Sequence, residues 1–134
     1  MRDDIILNKI AVIERSLRRI AEEYRDDPVR LETFTIQDSV VLNLQRACEA
    51  AIDLAMHLVA VRRLGVPQDA RSAFDLLQTN ALLSPELAKR MKAMVGFRNI
   101  AIHDYQQLQL PILQRILADH LGDFRQFTTR ILES

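Results

Sequence analysis

The chain has 134 residues, of which 49% are hydrophobic and 27% charged, and 18 basic residues balance 18 acidic ones. This length and balance are typical of one globular domain and exclude a disordered chain. A net charge of zero excludes a large basic field, so any contact with nucleic acid has to be local. The chain has only three glycines and four prolines, and so few of the residues that form the turns between strands. This composition favours an all-α fold.

The first half of the chain is predicted to form two helices. The second helix, from about Thr35 to Leu64, carries two apolar stripes, which is typical of a central helix with neighbours on two sides. Gly65 and Pro67 end it, and a loop is expected over residues 25–34 because proline cannot continue a helix. The first helix precedes this loop and is defined by apolar residues spaced three and four positions apart, namely Ile6, Ile10, Ile13, Leu17, Ile20 and Tyr24.

The second half is predicted to contain a short helix, from about Asp69 to Thr79, and two longer ones. Ser84 and Pro85 are typical of a helix start, and the helix that follows carries an apolar stripe suited to the core or to a dimer contact. The last helix is expected from about Leu110 to Leu132, with His120 on its apolar face. The whole chain, residues 1–134, is therefore predicted as a single domain, a four-helix-type up-down bundle with a short extra helix.

Neither a disulfide nor a membrane segment is predicted. Cys48 is the only cysteine, which excludes an intramolecular disulfide and a cysteine-based metal site. No apolar run approaches the roughly 18 residues that a membrane span needs. The first ten residues are charged and lack the apolar centre of a signal peptide. We therefore expect a cytoplasmic protein without a membrane contact.

The helix that starts after Ser84 runs into the chemically most unusual stretch of the chain. Arg98, Asn99, His103 and Tyr105 fall within eight positions and follow a locally basic segment, which contains Lys89, Arg90 and Lys92. Asn99 and His103 are four residues apart and share a helix face. Arg98 and His103 are five apart and point roughly 140° away from each other on a straight helix. A site that uses both side chains therefore needs a distorted helix end, a second copy of the chain, or both.

Arg98 also occupies the next position of the apolar stripe formed by Leu87, Met91 and Met94. An arginine on such a face is costly unless it is paired. Candidate partners lie on the central helix, where Glu49, Asp53 and His57 follow one another at four-residue steps. These three form an incomplete metal set, so no metal or cofactor is predicted. We expect Glu49 and Asp53 to orient Arg98 or to line an interface, and a purely structural Arg–Glu pair stays open.

Two stretches, GFRNIAIHDYQQL and VVLNLQRACEAAIDLA (Val40–Ala55), resemble the core of HepT toxins in the HEPN superfamily, and the resemblance extends over most of the chain. In that family four to six residues separate an arginine, often followed by a polar residue, from a histidine. Arg98, Asn99 and His103 correspond to this pattern. Tyr105 corresponds to the tyrosine that the HepT subgroup has two residues after the histidine.

The resemblance implies a HEPN-like helical fold and a metal-independent endoribonuclease that acts on RNA, either tRNA or mRNA. It further implies a homodimer in which two motif helices form one composite cleft, with Arg98 and His103 catalytic and Asn99 in support. The implied partner, as in type VII-like toxin–antitoxin pairs, is an MNT-type nucleotidyltransferase antitoxin that attaches AMP to Tyr105 and so neutralises the toxin.

The residue types suit this chemistry. Histidine titrates near neutral pH and can transfer protons, and the planar guanidinium of arginine suits phosphate oxygens. Two other hypotheses stay open from the sequence. The chain could be a non-catalytic helical module that presents a nucleotide or another substrate to a nucleotidyltransferase, or it could be a structural dimerisation domain.

Overall fold

The computed structural model describes residues 3–103, 105 and 108–134. The elements in this part of the chain are helices, which confirms the all-α prediction. A short 3-10 helix, Pro28–Glu32, joins the first two α-helices. The α-helices are α1 (Asp4–Tyr24), α2 (Phe34–Val61), α3 (Ala70–Thr79), α4 (Pro85–His103), α5 (Leu110–Asp119) and α6 (Leu121–Glu133).

Helix α2 is the central element, as its two apolar stripes predicted. It packs most extensively against α1 and also contacts α3 and α4. Alanines such as Ala47, Ala51 and Ala55 are buried among its leucines, so that the neighbouring helices can approach closely. Cys48 is buried on the same helix, and desolvation raises the pKa of its thiol well above the usual range.

Side-chain caps begin several of the helices and account for their start points. The Asp3 carboxylate accepts hydrogen bonds from the backbone N–H groups of Ile5 and Ile6, and the hydroxyl of Ser84 accepts from the N–H of Leu87. Such caps satisfy N–H groups that have no partner within the helix. The start of α4 at Pro85, directly after Ser84, is as the sequence predicted.

The connections around α2 differ slightly from the sequence prediction. The predicted loop 25–34 contains the 3-10 helix, because the Asp27 side chain caps the N–H of Val29 and Pro28 supplies a helical backbone angle. Helix α2 ends at Val61, three residues earlier than expected. Gly65 then adopts a φ of 142°, and a Cβ at this position would lie 3.0 Å from a methyl group of Leu76.

The predicted single last helix is wrong, because it divides into α5 and α6 at His120. The backbone of His120 leaves the helical region (φ −121°, ψ −3°), while its N–H closes α5 on the carbonyl of Ile116. Its Nδ1 atom lies 3.0 Å from Oδ2 of the buried Asp123. The apolar stripe continues across the break through Leu117, Phe124 and other residues, so periodicity alone could not reveal it. None of the helices in the described ranges is long and apolar enough to cross a bilayer.

Candidate active site at the end of helix α4

The part of helix α4 that precedes the motif is packed into the hydrophobic core. Leu87, Met91 and Met94 are buried in the core, which decides between the two roles that the sequence left open for the methionines. Arg98 continues this buried face and its side chain is 22% exposed. The helix ends at His103, which is exposed, so the motif lies at the helix terminus.

Arg98 is held against α2 by Glu49. Its Nη1 atom donates to both carboxylate oxygens, at 3.2 Å to Oε1 and 3.4 Å to Oε2. The Nε atom of Arg98 is buried and has no hydrogen-bond partner among the described residues. An unsatisfied buried donor costs about 1–3 kcal/mol. Glu49 therefore positions the guanidinium through one nitrogen, and part of the side chain stays exposed to solvent.

Asp53 does not contact Arg98, so of the two roles expected for it, orienting Arg98 or lining an interface, the structure does not show the first. Its carboxylate accepts a hydrogen bond from Lys9 Nζ on α1 at 3.0 Å. His57, one turn further, contacts the cap residue Asp3, with 2.7 Å between Nε2 and Oδ2. Successive helical turns thus direct these side chains to different partners, and no metal-binding group of three such residues occurs in the described part of the chain.

The geometry of α4 explains why Arg98 and His103 do not form a pair by themselves. Asn99 is half-buried and lies one turn before His103 on the same face, whereas Arg98 faces α2. The helix does not continue to Tyr105, so Arg98 and Tyr105 do not share a helix face as they would on a longer helix. Asp104, between His103 and Tyr105, lies outside the described residues.

Tyr105 is tethered to the first turns of α2. Its hydroxyl donates a hydrogen bond to Oδ1 of Asp38 at 2.5 Å. Burial and the neighbouring Asp38 carboxylate together raise the pKa of Tyr105 to about 12, because both favour the neutral phenol. The residue as a whole is nevertheless 40% exposed.

The profile of the HepT-like family, described as ribonuclease HepT-like, matches residues 9–131. The chain belongs to the HepT-like family of ribonucleases. This confirms the resemblance drawn from the motif and the central helix.

Relatives and solved structures agree with the family assignment. This HepT-like chain is 50% identical over 125 residues to the mRNA nuclease HepT of Shewanella oneidensis, covering 93% of this chain and 94% of that one. It is 34% identical over 65 residues to the tRNA nuclease HepT of Aphanizomenon flos-aquae, which covers 48% of this chain and 44% of the relative. The fold matches that of the tri-AMPylated Shewanella oneidensis HEPN toxin in complex with its MNT antitoxin, with a TM-score of 0.94, 48% identity and coverage of 99% and 100% of the two chains.

The sequence did not single out Asp38, which the HepT-like fold brings to Tyr105 over 67 residues of chain. An exposed aspartate near a helix start carries no sequence signal beyond that of an ordinary surface charge.

The basic segment before the motif also differs from a free positive patch. The guanidinium of Arg90 lies 2.7 Å from a carboxylate oxygen of Glu86 and 3.6 Å from one of Asp123. The ammonium of Lys92 lies 2.7 Å from a carboxylate oxygen of Asp75 on α3. These acids neutralise much of the charge of the basic segment.

A groove of about 1030 Å³ runs between α4 and α5, beside the motif. Phe97, Ile100 and Ile112 contribute apolar surface to it, and Lys89 and Arg115 contribute positive charge. Ile100 and Ile112 are exposed, as is Ile102 next to His103. Exposed apolar residues that line a groove are typical of a surface that a protein partner covers.

Proposed function

We propose that this chain is the toxin of a toxin–antitoxin pair, a cytoplasmic endoribonuclease that cleaves RNA without a metal ion. The single observation that carries the proposal is the state of Arg98, which Glu49 positions through Nη1 while its side chain stays 22% exposed at the end of the motif helix. An RNA phosphate that reaches the exposed part of this side chain would accept hydrogen bonds from guanidinium donors that Glu49 does not use. Guanidinium groups bind phosphate oxygens and stabilise charge that develops on them during cleavage.

The reaction that fits these residues is an attack of the RNA 2′-hydroxyl on the adjacent phosphorus. The bond from the 2′-oxygen to phosphorus forms, the bond to the 5′-oxygen breaks, and the product carries a cyclic 2′,3′-phosphate. One group removes the proton of the 2′-hydroxyl and another supplies a proton to the leaving oxygen, tasks that suit histidine near neutral pH. His103 performs one of these tasks, and Asn99 on the same face supports the imidazole.

A homodimer supplies the second proton-transfer group and brings Arg98 and His103 of different copies together. Within one chain Arg98 faces α2, and the exposed His103 ends α4. The groove between α4 and α5, with the exposed Ile100 and Ile112 in its lining, provides an apolar surface for a second copy. Two motifs that face each other across this surface form one composite cleft.

An MNT-type nucleotidyltransferase antitoxin neutralises the toxin by attaching AMP to Tyr105. The Shewanella oneidensis relative is described as a tri-AMPylated toxin in complex with an MNT antitoxin. In this chain the exposed Tyr105 lies two residues after His103. AMP at this position adds bulk and a negative phosphate beside the cleft, which blocks RNA and competes for Arg98.

Purified protein incubated with tRNA or mRNA in the presence of EDTA tests the proposal. We expect cleavage by the wild-type protein and none by His103→Ala, with the variant folded and of the same oligomeric state, because His103 is exposed and contributes little to the core. Undiminished cleavage by His103→Ala would contradict the assignment. Absence of wild-type cleavage combined with nucleotide binding would favour a non-catalytic module instead.

A further inference from the structure

We propose that Asp38 is the proton acceptor for AMP transfer to Tyr105. In this mechanism a residue of the toxin, and not of the antitoxin, removes the proton during the modification that inactivates the toxin. This inference rests on the proposed modification of Tyr105 and adds a positioning and proton-accepting residue to it.

The contact between the two side chains is short and direct. The Tyr105 hydroxyl donates to Oδ1 of Asp38 at 2.5 Å, within the range of the strong hydrogen bonds that an O–H makes to a carboxylate. Tyr105 follows the end of α4, whereas Asp38 lies near the start of α2. The bond therefore fixes the direction of the hydroxyl relative to the bundle, while both side chains remain accessible from solvent.

The environment of Tyr105 makes a proton acceptor necessary. Burial and the Asp38 carboxylate raise the pKa of Tyr105 to about 12. At pH 7 only about one phenol in 10⁵ is then ionised, so a reaction that requires prior ionisation of the phenol is slow. A carboxylate already bonded to the proton can remove it as the new bond forms, which is general base catalysis.

The transfer of AMP to Tyr105 requires no reactant other than ATP, which the antitoxin binds. The Oη atom of Tyr105 attacks the α-phosphorus, and the bond between that phosphorus and the oxygen bridging to the β-phosphate breaks. Pyrophosphate leaves with the bonding electrons, and the hydroxyl proton passes to Oδ1 of Asp38 and then to solvent. The product no longer has an O–H to donate to Asp38, so the modified side chain is released from this contact.

The decisive variant is Asp38→Asn, because the asparagine oxygen still accepts a hydrogen bond from Tyr105 but does not take up the proton. AMP incorporation is measured with the antitoxin and Mg·ATP over a range of pH. We expect kcat to fall about 100-fold or more, as for loss of a general base, while KM for the toxin changes little. The wild-type rate should vary little around neutral pH, whereas the variant rate should rise about tenfold per pH unit because only the phenolate reacts.

Three controls keep the outcomes distinct. Asp26→Asn removes another exposed aspartate, in the turn after α1, and should transfer AMP at the wild-type rate. Tyr105→Phe should accept no AMP, and if it still does, the proposed modification site itself is wrong. In a Tyr24→Phe background, which leaves Tyr105 as the only tyrosine, Asp38→Asn should move the tyrosinate titration from about 12 toward 10.

If Asp38→Asn keeps the wild-type kcat and pH profile of AMP transfer, the role of Asp38 is wrong. The proposed function still stands in that case, provided that Tyr105→Phe accepts no AMP. RNA cleavage by unmodified Asp38→Asn should stay close to wild type, which separates a role in modification from a general loss of the fold. A parallel loss of AMP transfer and RNA cleavage, with unchanged pH dependence of transfer, would show a merely structural role and would also overturn the inference.

Discussion

Replacing Glu49 by glutamine removes the charge that holds Arg98 and keeps the size of the side chain. The Arg98 side chain is 22% exposed and that of Glu49 is 38% exposed, so the pair lies between a surface and a buried ion pair. Exposed pairs contribute about 0.2–1 kcal/mol and removal of one partner of a buried pair costs about 3–5 kcal/mol. We therefore expect the free energy of unfolding to fall by about 1–2 kcal/mol.

The same change should reduce RNA cleavage, because Glu49 determines where the Arg98 guanidinium lies. If misplacement costs about 1.4 kcal/mol of transition-state stabilisation, kcat/KM falls about tenfold. Urea unfolding measures the first effect and initial rates of RNA cleavage measure the second. The two readouts together distinguish a positioning role from a contribution to stability alone.

Asp53→Asn provides a matched control one turn along the same helix. Asp53 pairs with Lys9 and is 52% exposed, so we expect a loss of about 0.5 kcal/mol or less and unchanged cleavage. The positioning role of Glu49 is refuted if Glu49→Gln retains the wild-type stability and cleaves RNA at the wild-type rate or faster. Faster cleavage would show that Glu49 competes with RNA phosphate for Arg98 instead of positioning it.

Two further predictions concern the dimer surface and the buried thiol. Ile100→Glu places a charge in the exposed apolar groove between α4 and α5, so the dimer dissociation constant measured by analytical ultracentrifugation should rise at least about tenfold and RNA cleavage should fall with it. Val66→Glu, at an exposed apolar residue in the connection before α3, should change neither; an equal effect of both variants would contradict the assignment of the surface. Burial raises the pKa of the Cys48 thiol, so it should stay protonated and unreactive toward thiol reagents in the folded protein even at mildly alkaline pH, and react only in denaturant; rapid labelling of the native protein would contradict its burial.

Much of the fold could be predicted because helix formation leaves local signals. The spacing of apolar residues indicated α1 and the central position of α2, and Ser84 and Pro85 indicated where α4 begins. The break at His120 left no such signal, because a single non-helical residue changes the backbone without interrupting the apolar stripe. The division into α5 and α6 therefore became visible only in the structure.

The sequence by itself determined that the chain is helical, that Arg98 interrupts a buried face, and that Arg98 and His103 diverge on one helix. These properties follow from residue type and helical spacing, which are local. Only the tertiary structure decided that Glu49 and not Asp53 holds Arg98, and that Asp38 receives the Tyr105 hydroxyl. Pairings between distant residues depend on how helices pack and where each one ends, and a charged side chain carries no mark in the sequence of the partner it will meet.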